Sequence, residues 1–280
     1  MLRILFSFLL LVAALPARCQ DGFLRDFSTK WEQRATRTQA VQPRWSVPMF
    51  SPFPMLAQVF RTDFTRQPTE GGGGGTWNYG SGKGFNLIPF ANTQVDIFVP
   101  GYIVHGDDAQ DGFGDMTLLG KYRFFAGNEQ HGNYIVSGAL AWNIPTGSYK
   151  NGAASSSLTP TLLTGKGFGR FTLMSSLGGS LPTSHVATTG RTIHWNSVAQ
   201  YRVGRYFFPE VELNSNTYLG GPRDGKTQIY LSPGIIVGRL PIRSVEKSRL
   251  GITLGAGFQT AITSYHASNH IFQSSVRFVF

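Results

Sequence analysis

The sequence predicts an all-β fold, an antiparallel up-and-down transmembrane β-barrel of about 12 strands. Three observations predict it. From Met55 onward, stretches of alternating apolar and polar residues recur, each followed by a turn. The connections between them alternate between long and short. The chain ends "HIFQSSVRFVF", where Phe272, Val276, Phe278 and Phe280 share one face and Gln273, Ser275 and Arg277 share the other. A strand with an aromatic face and a polar face separates two solvents. Its end has no free edge when the last strand pairs with the first.

The first 19 residues read as a secretory signal peptide. Arg3 supplies a positive start, residues 4 to 15 an apolar stretch, and Ala17-Arg18-Cys19 a cleavage signal. The stretch is too short for a mature spanning helix. Arg18 before Cys19 argues against a lipid anchor, and cleavage near Cys19-Gln20 removes the one cysteine.

Residues 20–54 form an N-terminal extension, either periplasmic or a plug. Phe23, Phe27 and Trp31 lie at i, i+4, i+8, which fits a short helix with one apolar face. "SVPMFSPFP" is then forced into extended coil by its prolines. The extension has too little apolar surface to fold alone. Its aromatic anchors and stiff prolines favour docking at the periplasmic mouth or lower lumen over a loose tail.

Residues 55–280 form the barrel. The alternating segments run at about 55–66, 83–90, 93–104, 115–126, 133–145, 157–167, 170–182, 192–203, 205–216, 227–240, 248–263 and 269–280. Pro89 makes the second the least regular. Long connections such as "EGGGGGTWNYGSGKG", "HGDDAQDG" and "TGSYKNGAASS" alternate with short ones such as "AN", "KGFG" and "GR". In a barrel of this kind, short turns and both termini face the periplasm and long loops face outward.

Charge fixes the faces. The formal net charge is +10, and loss of Arg3 and Arg18 leaves 23 basic residues against 15 acidic, or +8. The basic residues are scattered rather than clustered, which with the export signal points to anionic lipid and not to nucleic acid. A Lys or Arg on the lipid face near the midplane costs about 2–4 kcal/mol. Arg61, Asp63, Asp96, Asp115, Lys121, Arg123, His194, Arg202, Glu210 and Glu212 share the polar side of their segments and are the expected pore-lining residues. Lys121 and Arg123 are expected to face acids such as Asp96, Asp115 or Glu210.

"GFGDMTLLGKYRFF" (112–125) followed by "ALAWNIPTGSY" (139–149) resembles the transporter-like barrel family "MetA-pathway of phenol degradation". That resemblance implies an outer-membrane channel for small solutes, hydrophobic or aromatic compounds among them, and supplies no catalytic residues. The chain end, Phe280, Phe278 and Val276, also resembles the C-terminal membrane-insertion signal that barrel-assembly machinery recognises.

Three other motifs weigh less. "GGPRDGKT" (220–227) fits a phosphate-binding loop, but an alternating strand follows it where that chemistry needs a helix. "DDAQDGFGD" is oxygen-rich but lacks calcium-loop spacing, so no metal is expected. His194, Asn196 and Ser197 invite comparison with a barrel lipase, yet Ser197 points away from His194 on one strand.

The expectation is an outer-membrane porin-like channel of a Gram-negative cell. Its partners are outer-membrane lipid, the assembly machinery and a small-molecule solute; it needs no cofactor and works by passive diffusion. A lipase-type enzyme and an adhesive barrel with binding loops stay open as alternatives.

Overall fold

The computed structural model describes residues 17–68, 74–242 and 249–280, with side chains from residue 26 onward. Most of the expected signal peptide, part of the glycine run and residues 243–248 lie outside the described residues, as does the side chain of Phe23. Chain order begins with α1 (Ala17–Ala40), then β1 (Val59–Gln67), β2 (Thr76–Phe90), β3 (Thr93–Phe98), β4 (Tyr102–His105), β5 (Gly112–Phe113) and β6 (Met116–Gly127). It continues with β7 (Tyr134–Ile144), β8 (Ser157–Phe168), β9 (Phe171–Pro182), α2 (Val186–Thr189), β10 (Arg191–Tyr201) and β11 (Phe207–Leu219). The last strands are β12 (Thr227–Pro241), β13 (Gly251–Ala261) and β14 (His270–Val279).

Each wall strand pairs antiparallel with its neighbours, and β1 pairs with both β2 and β14. The sheet is therefore a closed barrel, with 12 of the 14 strands in the wall; β4 and β5 form a small extension beside β2. At the seam Val59 faces Val279 and Arg66 faces Phe272. The Phe280 N–H continues the ladder onto the Gln58 carbonyl at 3.3 Å. Backbone groups that would be stranded in hydrocarbon are thus paired.

The alternation places the two faces as the residues demand. Tyr122 and Phe124 are exposed while Lys121 and Arg123 are buried; Val211 and Leu213 are exposed while Glu210 and Glu212 are buried. The short turns and both ends of the barrel sequence share one end of the cylinder, called the terminal end below; the long connections share the loop end.

Two segments differ from expectation. The second strand begins at Thr76, not near 83, so "TWNYGSGKG" belongs to the wall and not to a free loop. Trp77 and Tyr79 keep the outward alternation opposite Arg66 and Phe64. Gly80 (φ 84°) and Gly82 (φ 58°) absorb the bulges that accompany the β1–β2 register shifts. The third segment breaks between β3 and β4 around Pro100, because proline cannot donate to a ladder. The helix is longer than the aromatic spacing suggested, at 24 residues.

The outward face sets a test. Leu213 is 42% exposed at mid-strand of β11. Leu213→Arg should destabilise the barrel by about 2–4 kcal/mol, and Leu219→Arg at the strand end by about 1 kcal/mol or less. Reversible denaturant unfolding from lipid vesicles measures both.

Candidate functional site in the barrel lumen

The inward face is polar and buried, so its groups require partners. Residues 41–58 supply them. This segment carries Pro43, Pro48, Pro52 and Pro54 and joins no ladder before Gln58. Its own backbone groups therefore need side-chain partners. It threads the lumen, bonded to wall residues from both sides.

The carboxylates hold the segment by its N–H groups. Glu212 accepts from the backbone N–H of Met49 at 2.9 Å, Phe50 at 3.0 Å and Ser51 at 2.7 Å. Glu210 also accepts from Met49 N–H, at 2.9 Å, and from the Gln200 amide at 2.9 Å. Gln94 accepts from Ala57 N–H at 2.6 Å, and Gln200 from Ser46 N–H at 3.1 Å.

The cations hold it by its carbonyls. Arg277 donates to the Val47 carbonyl and, at 2.8 Å, to that of Pro48. Arg61 and Gln273 donate to the Met49 carbonyl at 2.6 and 3.0 Å. Lys121 donates to the carbonyls of Phe53 at 3.0 Å and Met55 at 3.2 Å, with its ammonium 3.8 Å from the centre of the Phe53 ring. Ser137 donates to the Pro54 carbonyl at 2.7 Å. Arg123 reaches the Thr38 carbonyl at 2.7 Å, the Gln42 side chain at 3.1 Å and Asn92.

Apolar pegs complete the docking. Met49 packs with Phe208 and Ile236; Phe53 and Met55 pack with Ile135, Met174 and Val198; Leu56 packs with Ala35 and Ile88. Small wall residues make room: a side chain at Gly257 would meet Phe50, and one at Gly165 would meet Trp45. The second half of α1 closes onto the terminal end. Trp31 bonds Gln58 at 2.6 Å, and Arg249 reaches Thr36 at 2.7 Å and Gln39 at 2.6 Å.

The expected wall residues therefore divide. Arg61, Lys121, Arg123, Glu210 and Glu212 converge on the extension. Lys121 and Arg123 hydrogen-bond neutral carbonyl and amide oxygens, while Asp96, the expected acid nearest Lys121, acts on its ammonium through charge without a direct bond. Among the described residues, one ion pair forms within 4.0 Å, Arg61–Asp63 at 2.6 Å. Asp63 also accepts from Gln273, and Asp96 accepts from Gln94 at 2.7 Å. Asp115 instead organises the β7–β8 connection, accepting from Gly147 N–H at 2.9 Å, Ala153 N–H at 2.8 Å and Asn143 at 3.0 Å. His194 bonds Asn216 at 2.7 Å, and among the described residues no serine hydroxyl bonds its ring. Arg202 lies just past β10, exposed on the turn at the terminal end.

Sequence reasoning missed the inward apolar residues. Ile88, Ile135, Met174, Val198, Phe208 and Ile236 share their strand face with Asn86, Ser137, Ser176, Gln200, Glu210 and Ser232. The detectable signal was an apolar residue in the polar register, repeated on several strands.

Between the segment, α1 and the wall lies a cavity of about 660 Å³, lined by residues such as Trp45, Arg205, Phe208, Arg249 and Arg277.

Removal of the carboxylate that gathers three N–H groups gives a direct test. Hydrogen bonds to charged groups contribute about 1.5–3 kcal/mol each. Glu212→Ala should speed hydrogen exchange at Phe50 and Ser51 by about a hundredfold, and less at Met49, whose N–H keeps Glu210. Exchange at β7 should stay unchanged. Mass spectrometry of the full-length barrel reads both.

The fold resembles that of a solved outer membrane channel. The outer membrane channel from Pseudomonas putida F1, known from a crystal structure, is 12% identical, with a TM-score of 0.53 over 84% of this chain and 99% of that one. A second solved chain, reported under "Unveiling the Mechanism Behind the in-meso Crystallization of Membrane Proteins", is 10% identical with a TM-score of 0.43, over 79% of this chain and 84% of that one. No curated protein matches the sequence. The family described as "Putative MetA-pathway of phenol degradation" matches residues 58–238, most of the barrel wall, and the chain belongs to that family.

Proposed function

We propose that this chain is an outer-membrane channel that passes small solutes, hydrophobic or aromatic compounds among them, by passive diffusion. The terminal end faces the periplasm in this reading, and residues 41–58 form the constriction. The observation that carries it is the lumen itself. Charged residues lie on the inward face, and Arg61, Lys121, Arg123, Glu210, Glu212 and Arg277 bond an internal segment in addition to the bonds some of them make along the wall. A barrel needing only bracing could pair Lys121 and Arg123 with wall acids. Here removal of one segment would expose a polar passage. The likeness to a protein described as an outer membrane channel supports the reading, as does a family described by phenol degradation. Arg61, Asp63, Asp96, Lys121, Arg123, His194, Glu210 and Glu212 would line the path, with Asp115 setting the loop end and Arg202 the terminal mouth.

Planar-bilayer recording tests this. A 12-stranded wall lies between the side-chain-filled and the open-channel sizes, so small steps are expected from the intact protein. A variant lacking residues 21–57, signal peptide retained, should give steps several-fold larger. Arg123→Glu in that variant should shift ion preference toward cations, because the opened lumen loses a positive charge and gains a negative one. Absence of steps from the deletion variant, with the barrel correctly assembled, would overturn the channel reading.

A further inference from the structure

The cavity at the terminal end has an unusual lining. Six arginines contribute to it, Arg44, Arg202, Arg205, Arg239, Arg249 and Arg277, and among the described lining residues there is no aspartate or glutamate. The arginines come from the extension, the β10–β11 turn, the end of β12, the approach to β13, and β14. The chain thus gathers separate cations around one hollow.

The hydrogen-bond partners of Arg249 and Arg277 are side-chain and backbone oxygens, and no carboxylate side chain among the described residues is one of them. Arg277 and Arg249 bond uncharged oxygens of the extension, α1 and Ser275. Arg249 also bonds the Phe280 backbone oxygen at 3.4 Å. Arg205 stacks over Tyr206 at 5.2 Å. Arg202 forms no side-chain hydrogen bond among the described residues. For Arg44, Arg202, Arg205, Arg249 and Arg277, no carboxylate side chain of the described residues comes within 4.0 Å. Asp63, Glu210 and Glu212 act on Arg277 through charge from the wall without bonding it, and two further acids lie near other arginines of the group. Glu129 accepts from the Arg44 backbone, not its guanidinium. Glu32 acts on Arg249 from the helix. Arg249 lies outside the strands, and burial first, then the charge of Arg239, lowers its pKa, while Glu32 opposes the shift.

Aromatic rings share the lining: Trp45, Tyr206 and Phe208. The volume of about 660 Å³ suits a small organic ligand. Guanidinium forks match a carboxylate bidentately, and ring faces match an arene. We propose that this cavity binds a small arene carboxylate, held by the arginines through its charge and by Trp45, Tyr206 and Phe208 through its ring. The proposal deepens the channel reading by naming a solute class at the terminal mouth. It predicts binding whether or not the barrel conducts.

Benzoate is the probe, titrated calorimetrically into the full-length barrel in uncharged detergent at low salt. Saturable binding at one site is expected, weakening as ionic strength rises. Arg202→Ala/Arg205→Ala should weaken it about tenfold. Both side chains are exposed on a turn, so assembly should survive. Arg249→Gln is a second variant expected to act likewise. Arg191→Ala, at the loop end, should leave binding unchanged. Failure of benzoate to saturate, or binding untouched by both arginine variants, would overturn the proposal. Inorganic phosphate binding as tightly as benzoate would show a site for charge alone and overturn the arene assignment. Loss of benzoate binding in nanodiscs containing phosphatidylglycerol, with retention in phosphatidylcholine nanodiscs, would assign the arginines to lipid headgroups instead. Conductance without benzoate binding sinks this proposal only; benzoate binding without conductance sinks the channel reading only.

Discussion

Closure of the sheet through β1 and β14 is the constraint on which the rest of the molecule depends. In hydrocarbon an unpaired N–H or carbonyl costs several kcal/mol, so an open edge is excluded. Once the seam forms, each strand has one face toward lipid and one toward the enclosed space. The outward positions must then be apolar, which Phe64, Tyr122, Leu213 and Phe278 satisfy. The inward positions inherit the polar residues. Their number creates the second problem, since a narrow lumen cannot hydrate all of them.

The extension answers that problem with its backbone. A proline-rich strand cannot enter a ladder, so its N–H and carbonyl groups stay available. The wall offers acceptors where the segment presents N–H groups, at Glu210, Glu212 and Gln94, and donors where it presents carbonyls, at Arg277, Arg61 and Lys121. Each side satisfies the other. Deletion of either leaves buried polar atoms without partners, which is why the clamp is a property of the pair.

The wall was legible in the sequence because the signal is repetitive. Period-two alternation gives the same answer on strand after strand, and an error at one turn does not spread. Where the period failed, physical reasons are specific. Thr76–Gly84 was read as loop because its glycines hide the alternation of Trp77 and Tyr79, while the bulges use those glycines. The hydrogen-bond partners of Lys121 and Arg123 were not legible, although the charge of Asp96 beside Lys121 was. A wall acid and a carbonyl of a distant extension look alike from a sequence, and the contact joins residues as far apart as Thr38 and Arg123. The arginine cavity was equally hidden, since its members come from the extension, one turn and the ends of separate strands that only closure brings together.

The mixture of contacts decides how such a segment can leave. Its polar bonds exchange with water on release, so each contributes only about 1 kcal/mol net, or about 1.5–3 kcal/mol when charged. Its buried pegs, Met49, Phe53, Met55 and Leu56, lose about 1.5–3 kcal/mol each when exposed. The polar clamp thus fixes register while the pegs supply much of the holding energy. The pegs occupy three separate clusters with polar contacts between them. Withdrawal of Met49 from Phe208 and Ile236 leaves Leu56 seated beside Ala35 and Ile88. The segment can therefore yield in sections, beginning where wetting is easiest. That place is the stretch beside the terminal cavity, where water already has room to replace the bonds of Ser46 and Val47.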